Sequence, residues 1–174
     1  VLHRGADDLS GTVRMAYDDE FLYIAADVRD DIVRNTRTQA SEAWAGDALW
    51  VGLKWWEGAG GPYDFIYGLS PGEPGRTPPL PALFNRFSKD HNGPSAGDLK
   101  VVKTDHGYAL EMAIPLAEFA PREGETGTAL EPADGKTITV DFVLYDGDPE
   151  TGASTKKKML SWSCTTDRYD SAQG

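Results

Sequence analysis

Short runs in which apolar and polar residues alternate decide what this 174-residue chain can fold into. Such alternation is typical of β-strands that bury one face, and no convincing helical periodicity accompanies it. The first two runs, at 12–17 and 21–28, flank the turn sequence Asp18-Asp19-Glu20 and predict a β-hairpin. Six more runs lie at 48–56, 63–69, 99–104, 108–114, 137–145 and 159–163. We therefore predict an all-β fold, an antiparallel β-sandwich or jelly roll, with one helical turn at 116–119.

One segment interrupts the regular succession of strands. Residues 70–98 contain six of the eleven prolines, and a connection this long is usually either functional or disordered. Four apolar residues in its middle, Leu80, Leu83, Phe84 and Phe87, favour packing of that part against the rest of the protein. We predict a single domain over 1–174 with a long proline-rich loop insertion at about 70–98.

Composition restricts the partners. The formal net charge of −11 repels phosphate groups, so nucleic acid and anionic membrane are not expected partners. No apolar run approaches the roughly 20 residues of a membrane-spanning helix. The single cysteine, Cys164, excludes an internal disulfide and most cysteine-based metal sites.

Four of the five tryptophans lie within 13 residues, at positions 44, 50, 55 and 56. Alternation along this strand places Trp55 with the core residues and Trp50 on the opposite face, beside Gly52. The role of Trp56 is left undecided. The next strand adds Asp64 to that opposite face. Aromatic rings beside polar groups favour sugar binding, because pyranose C–H faces stack on indole while sugar hydroxyls require hydrogen bonds.

Five phrases in a fixed order carry a family resemblance: SGTVRMAYDDEFLYIAADVRDD, WAGDALWVGL, HGYALEMAIPL, ITVDFVLYDGD and MLSWS. Together they resemble the family 9 carbohydrate-binding modules, within the wider group of DOMON-like β-sandwiches. The resemblance implies a non-catalytic module that binds polysaccharide or oligosaccharide, is stabilised by calcium, and clamps sugar rings between two tryptophans. Those positions correspond to Trp44 and Trp162, and Trp50 would add a third aromatic contact.

The resemblance also sets expectations about context. The family's first and last strands are expected to lie outside this chain, and the chain is expected to be part of a larger glycan-active protein with an appended catalytic domain. Its expected location is extracellular or on the cell surface, where polysaccharides are found.

The chain departs from the family at polar positions. Sugar-binding members carry glutamate where this chain has Trp50, and arginine and asparagine where it has Ile66 and Gly68. These departures put the family's usual ligand, a free end of a sugar chain, in doubt. Hydrogen bonds would instead come from other side chains: Asp64, Lys54, Arg76, Asn85, Arg86, Lys89, His91 and Asn92.

Calcium is also indicated by aspartates at the ends of predicted strands, because this ion prefers oxygen ligands. Asp30 and Asp31 end one strand, Asp47 opens another, and Asp146 and Asp148 close a third. If those ends meet, Asp30, Asp31, Asp146 and Asp148 would hold the ion.

Three other functions stay open. A glycosidase would need a carboxylate pair such as Glu111 and Asp141. Haem binding, found in some DOMON-like sandwiches, would need a methionine (Met15, Met112 or Met159) opposite His91 or His106. A sandwich without ligand binding would serve as an interaction domain of a cell-surface protein.

Overall fold

The computed structural model describes residues 5–57, 60–87, 89–133, 135–147 and 158–162. Ten strands are formed among them: β1 Leu9–Tyr17, β2 Phe21–Asp30, β3 Ala48–Glu57, β4 Gly60–Ser70, β5 Leu80–Arg86, β6 Lys89–Pro94, β7 Asp98–Thr104, β8 Gly107–Pro115, β9 Ile138–Asp146 and β10 Lys158–Ser161. Two short 3₁₀ helices, Ala40–Ala45 and Leu116–Phe119, complete this part of the chain. None of its helices has the length and apolar character needed to cross a membrane.

The strands form two antiparallel sheets. One has four strands in the order β1-β2-β8-β7, and the other has six in the order β10-β9-β3-β4-β5-β6. The β1–β2 hairpin turns at Asp18, whose carboxylate accepts hydrogen bonds from the Glu20 and Phe21 backbone N–H groups, both at 2.8 Å. The predicted antiparallel sandwich is confirmed.

The core lies between the two sheets, and strand alternation decides which residues enter it. From β3, Leu49, Val51, Leu53 and Trp55 are fully buried. The four-stranded sheet contributes Ile24, Val28, Leu110, Met112 and Ile114, which are also buried. Trp55 is therefore a core residue, as the alternation predicts, and the side chains next to it on β3 face away from the core.

The prediction of a loop insertion at 70–98 is wrong for most of that segment. Strands β5 and β6, at 80–86 and 89–94, pair with each other and extend the six-stranded sheet, and Leu83 and Phe87 are buried as expected. The sequence did not predict these two strands because they contain prolines. Pro81 is the second residue of β5 and Pro94 ends the edge strand β6, and strand ends and edges are where a missing N–H is tolerated.

Candidate functional site

The outer face of the six-stranded sheet, the face turned away from the core, brings together several of the predicted ligand-binding residues. Trp50 pairs across the sheet with Gly68 on β4 and Val143 on β9. Lys54, four residues after Trp50 on β3, pairs with Asp64 on β4. The sequence placed Trp50 and Asp64 on one face, and the strand register agrees with that placement.

Three aromatic side chains on this face form what we call the aromatic ridge: Trp50 on β3, Phe84 on β5 and Tyr145 on β9. The Phe84 ring stacks on Trp50 with 4.9 Å between centroids and 9° between planes. Tyr145 contacts Trp50 from the other side, at 5.3 Å and a tilt of 51°. The ridge thus crosses the sheet, and Trp50 forms its centre.

A row of three polar residues, one glycine and one isoleucine crosses the sheet parallel to the ridge. Cross-strand pairing links Asp141, Gly52, Ile66, Asn85 and Asp90 in that order, on β9, β3, β4, β5 and β6. We call this row the trough. Four strand spacings of about 4.8 Å give it a length of about 19 Å. Gly52 brings the backbone within reach of a ligand at its middle, because glycine has no side chain and Gly52 is partly exposed.

A pair of opposite charges bounds the trough on the side away from the ridge. Lys54 Nζ lies 3.0 Å from Asp64 Oδ1, and these side chains are 31% and 26% exposed. Asn85 Nδ2 donates to the Asp64 carbonyl oxygen at 3.5 Å. Asp64 and Asn85 are therefore close together at the trough, and a ligand placed there meets apolar rings on one side and hydrogen-bonding groups on the other.

The two tryptophans expected to clamp a sugar are not brought together. Trp162 follows β10 at the edge of the sheet, donates its backbone N–H to the Phe142 carbonyl at 3.1 Å and packs edge-on against the Phe142 ring at 5.9 Å. Phe142 belongs to the face that packs against the core, so Trp162 lies on the side opposite the ridge.

Trp44 lies elsewhere. It belongs to the 3₁₀ helix Ala40–Ala45, which packs on β4, β5 and β6, and its indole N–H donates to the Ser41 carbonyl at 2.9 Å. The expected clamp of Trp44 and Trp162 is corrected accordingly, because at least three strand spacings, about 14 Å, separate β10 from the strands that this helix contacts.

Arg86 is not a sugar ligand, which corrects another prediction. Its side chain is 1% exposed and lies in the interior among Phe65 and Phe87, with the guanidinium carbon 5.3 and 5.1 Å from their ring centroids. Its Nη atoms donate to the Glu118 and Ala120 carbonyl oxygens, and Nε donates to both oxygens of Glu125 at 3.0 Å. Arg86 therefore fastens the chain after β8 to the sandwich.

Three buried aspartates meet at the end of the sandwich: Asp30, Asp47 and Asp146. We call them the acidic cluster. Burial and the nearby charges of Asp30 and Asp146 raise the pKa of Asp47 well above its usual value, although its carboxylate accepts the backbone N–H groups of Arg34 and Gly147. Burial, followed by the charges of Asp47 and Asp30, also raises the pKa of the Tyr108 hydroxyl.

The cluster differs from the predicted calcium site. Asp31 is exposed, and Asp148 lies outside the described residues. In the described part of the chain, no three His, Cys, Asp or Glu side chains are arranged to share one metal ion. Aspartates at the ends of strands do come together, as predicted. Their centre, however, is Asp47, which was not among the four predicted calcium ligands.

The candidate residues of the rival functions are dispersed. Glu111 faces outward from the four-stranded sheet and Asp141 outward from the six-stranded one, so the two carboxylates lie on opposite sides of the sandwich. Met112 is buried in the core, and Met15 is partly buried and packs against the same core. His106 Nε2 lies 3.0 Å from Asp27 Oδ1 at the surface.

Phe84 and Tyr145 are the residues that sequence reasoning missed at this face. The sequence could have predicted the position of Tyr145. Alternation along 137–145 puts Tyr145 on the same face as Val143, which pairs with outward-facing Trp50. Phe84 had no such signal, because its segment was predicted as a loop; in β5 it follows buried Leu83 and therefore faces outward.

Comparison with known proteins agrees with the resemblance read from the sequence. Residues 2–54 match the family model described as "Carbohydrate family 9 binding domain-like". The matched stretch runs through β1, β2 and the first part of β3, and the resemblance to family 9 modules is thereby confirmed. No curated protein matches the chain.

Three solved structures match the chain, and one of them has a similar fold. A protein from Bacteroides uniformis, described as a proposed carbohydrate-binding protein, has a TM-score of 0.60 at 14% identity, over 88% of this chain and 69% of its own. Two structures of a family 9 module from Caldicellulosiruptor kristjanssonii, with cellotriose and with glucose, have TM-scores of 0.49 and 0.48 at 16% and 17% identity. Both matches cover 87% of this chain, but the chain spans only 63% and 64% of those two proteins.

Proposed function

We propose that this chain is a non-catalytic carbohydrate-binding module that binds polysaccharide on the outer face of its six-stranded sheet. The match of residues 2–54 to the family 9 model supports the class of function. The Bacteroides protein of similar fold carries a description of the same class.

The observation that carries the proposal is the aromatic ridge beside the trough. Trp50 and its two neighbours, at 4.9 and 5.3 Å, offer apolar ring surface, and Lys54, Asp64 and Asn85 offer donors and acceptors within the same area. A sugar ring has apolar C–H faces and a rim of hydroxyls, so it needs both kinds of surface at once. Each aromatic contact contributes about 1 kcal/mol, which corresponds to affinities of about micromolar or weaker.

The module's wider role is to hold an attached glycan-active enzyme on its substrate, outside the cell or on its surface. A module with weak affinity is useful in that setting, because tethering raises the local concentration of substrate around the enzyme without adding chemistry. The proposed partners are thus a polysaccharide and a catalytic domain in the same polypeptide.

Calcium binding at the acidic cluster is a second part of the proposal. Asp30, Asp47 and Asp146 do not form a ready set of ligands for one ion, so calcium would have to draw their carboxylates closer as it binds, and it would then offset the repulsion that contributes to the raised pKa of Asp47. The ion's role would be structural, because the cluster joins the ends of β2 and β9 to the start of β3.

Affinity electrophoresis through gels that contain a panel of polysaccharides tests the function. We expect retardation by at least one neutral polysaccharide, weakened about fivefold to tenfold by Phe84→Ala, since one ring contact is worth about 1 kcal/mol. Tyr17→Ala is the matched control, because Tyr17 is an exposed aromatic residue (54%) on the four-stranded sheet and its loss should change nothing.

Trp162→Ala separates this site from the two-tryptophan clamp. Trp162 is 47% exposed but lies on the other side of the six-stranded sheet, so we expect retardation to persist in that variant. If no polysaccharide retards the wild-type protein while thermal unfolding shows it to be folded, the proposal fails and the interaction-domain alternative is favoured.

A further inference from the structure

The outer face of the four-stranded sheet carries two adjoining depressions, on the side of the sandwich opposite the aromatic ridge. The larger, of about 410 Å³, is lined by Ala25 and Ala113, and the smaller, of about 380 Å³, by Ala25 and Ala109. These three alanines lie on the two central strands, β2 and β8, and are partly exposed because so small a side chain leaves the sheet uncovered. Pockets that bind small molecules commonly have volumes of about 300–1,000 Å³, so each depression is large enough for a ligand.

Tyr23 supplies an aromatic ring at the larger depression. The residue is 37% exposed, and its hydroxyl donates to Asp18 Oδ2 at 2.7 Å. Its ring also packs against the Phe21 ring, with 5.9 Å between centroids. These contacts hold the ring in place before a ligand arrives, so little side-chain freedom is lost on binding. The C–H face of a pyranose ring therefore finds a fixed aromatic surface there.

Two charged side chains at these depressions are available to a ligand. Glu111 lines both depressions and Arg14 lines the smaller one. Within the residues that the structure describes, neither side chain forms a hydrogen bond or an ion pair. Lys100, the cross-strand neighbour of Glu111, pairs with Asp98 instead, at 2.7 Å. A carboxylate can accept hydrogen bonds from two neighbouring hydroxyls of a sugar, and a guanidinium can donate several, so Glu111 and Arg14 offer what sugar hydroxyls require.

The lining also distinguishes a sugar from other occupants. A docked protein surface would favour a continuous apolar patch, whereas here charged side chains stand around small alanines. An acidic sugar would meet the unpaired carboxylate of Glu111 on a chain with a formal charge of −11. A neutral saccharide meets neither obstacle.

We infer that the outer face of the four-stranded sheet is a second sugar-binding site, which holds a neutral saccharide between Tyr23 and Glu111, over Ala113. The inference goes beyond the proposed function by adding a site on the other side of the sandwich, and its class of ligand rests on that function. Tyr17 lines neither depression and is not part of this site. Because the two outer faces point in opposite directions, one molecule holds two saccharide chains at once, which strengthens retention on a polysaccharide surface.

Nuclear magnetic resonance tests this residue by residue, through ¹H–¹⁵N spectra recorded during titration with cellohexaose, xylohexaose or mannohexaose. We expect at least one of the three to shift the backbone amides of Ala25, Glu111 and Ala113, with a dissociation constant of about 1 mM, since one ring and a few hydrogen bonds carry the binding. Glu111→Gln should raise that constant about fivefold or more, because hydrogen bonds to a charged group are the stronger ones. Glu123→Gln is the control, since Glu123 is also exposed but lines neither depression.

Ala113→Leu places a larger side chain in the depression beside Tyr23. We expect it to raise the dissociation constant about tenfold or more, because the added atoms occupy the space of the sugar. Thr12→Leu is the control, because Thr12 is exposed on the edge strand β1 of the same sheet and lines neither depression. Glu111→Gln changes an exposed side chain without changing its size, so it carries the test if Ala113→Leu does not fold.

The outcomes separate the second site from the proposed function. Shifts confined to the six-stranded sheet overturn the inference and leave a carbohydrate-binding module with one site. Shifts on the four-stranded sheet that are the same in Glu111→Gln and in folded Ala113→Leu overturn it as well. Amides of this face that move with protein concentration alone, and not with sugar, would show that the face binds another protein surface. If none of the three sugars shifts either sheet and no polysaccharide retards the protein in gels, the inference and the proposed function both fail.

Discussion

The Phe84 ring lies parallel to the Trp50 indole, 4.9 Å away between centroids, and it passes over the backbone of Gly68. A β-carbon at position 68 would lie 2.6 Å from Phe84 Cε2. A side chain at that position would therefore force the Phe84 ring to move, whereas the backbone conformation does not itself demand glycine. This contact couples the centre of β4 to the aromatic ridge.

Gly68→Ala should displace Phe84 from Trp50. We expect the free energy of unfolding to fall by about 1–3 kcal/mol, the usual cost of an overpacked site, measured by urea denaturation. In a Phe84→Ala background the same substitution should cost less than about 0.5 kcal/mol, because the opposing ring is gone. Equal costs in the two backgrounds would show that the clash is not the cause.

Arg86→Met should destabilise the fold without changing the ligand-binding face. The substitution leaves Glu125 and two carbonyl oxygens without their buried donor, and we expect a loss of about 3 kcal/mol or more in urea denaturation. Arg86→Lys should rescue little, since one ammonium group cannot reproduce the planar fork.

Arg76→Met is the control for that prediction. Arg76 pairs with Glu73 at 2.7 Å, but its side chain is 76% exposed, so its loss should cost less than about 1 kcal/mol. A folded Arg86→Met protein of wild-type stability that no longer binds polysaccharide would instead restore Arg86 as a ligand residue.

Calcium should raise the melting temperature if the acidic cluster holds it. At about a hundredfold excess over the dissociation constant the gain is ~2.7 kcal/mol, which corresponds to about 5–10 °C for a chain of this size. Differential scanning calorimetry with calcium and with chelator measures the shift. Asp146→Asn should reduce it and Asp31→Asn should not, since Asp146 is buried beside Asp47 whereas Asp31 is exposed. Identical melting in the two buffers would remove calcium from the proposal.

The β1–β2 turn should lose stability in acid through Asp18. Hydrogen bonds from the Glu20 backbone, the Tyr23 hydroxyl and the Phe21 backbone lower the pKa of Asp18 below its usual 3.8. A lowered pKa in the folded state stabilises the fold above the unfolded-state pKa, and the contribution disappears as pH falls through the folded-state value.

Asp18→Asn keeps an acceptor but cannot ionise, so it isolates this contribution. The wild type should melt higher than Asp18→Asn near neutral pH, and the difference should shrink as the pH is lowered from about 5 to about 2. Melting curves over that range measure it. A difference that stays constant with pH would mean that the carboxylate's charge does not stabilise the turn.

The sequence by itself determined the sandwich and the burial of most strand residues. Side chains alternate sides along any β-strand, so Trp55 had to be buried once Leu49, Val51 and Leu53 were, and Trp50 had to face the other way. The β1–β2 hairpin followed from its turn residues for an equally local reason.

The tertiary structure decided which residues of different strands are neighbours. The irregular pairing of β4 with β5 lets Phe84 and Asn85 both face outward, so Arg86 enters the core, opposite to the role predicted for it. The order of strands placed β9 and β5 on either side of the β3–β4 pair, which created both the ridge and the trough. The same order put Trp162 at an edge, away from Trp44. Alternation is a property of one strand, whereas neighbours across a sheet depend on the whole chain, and no local pattern in these residues encodes that choice.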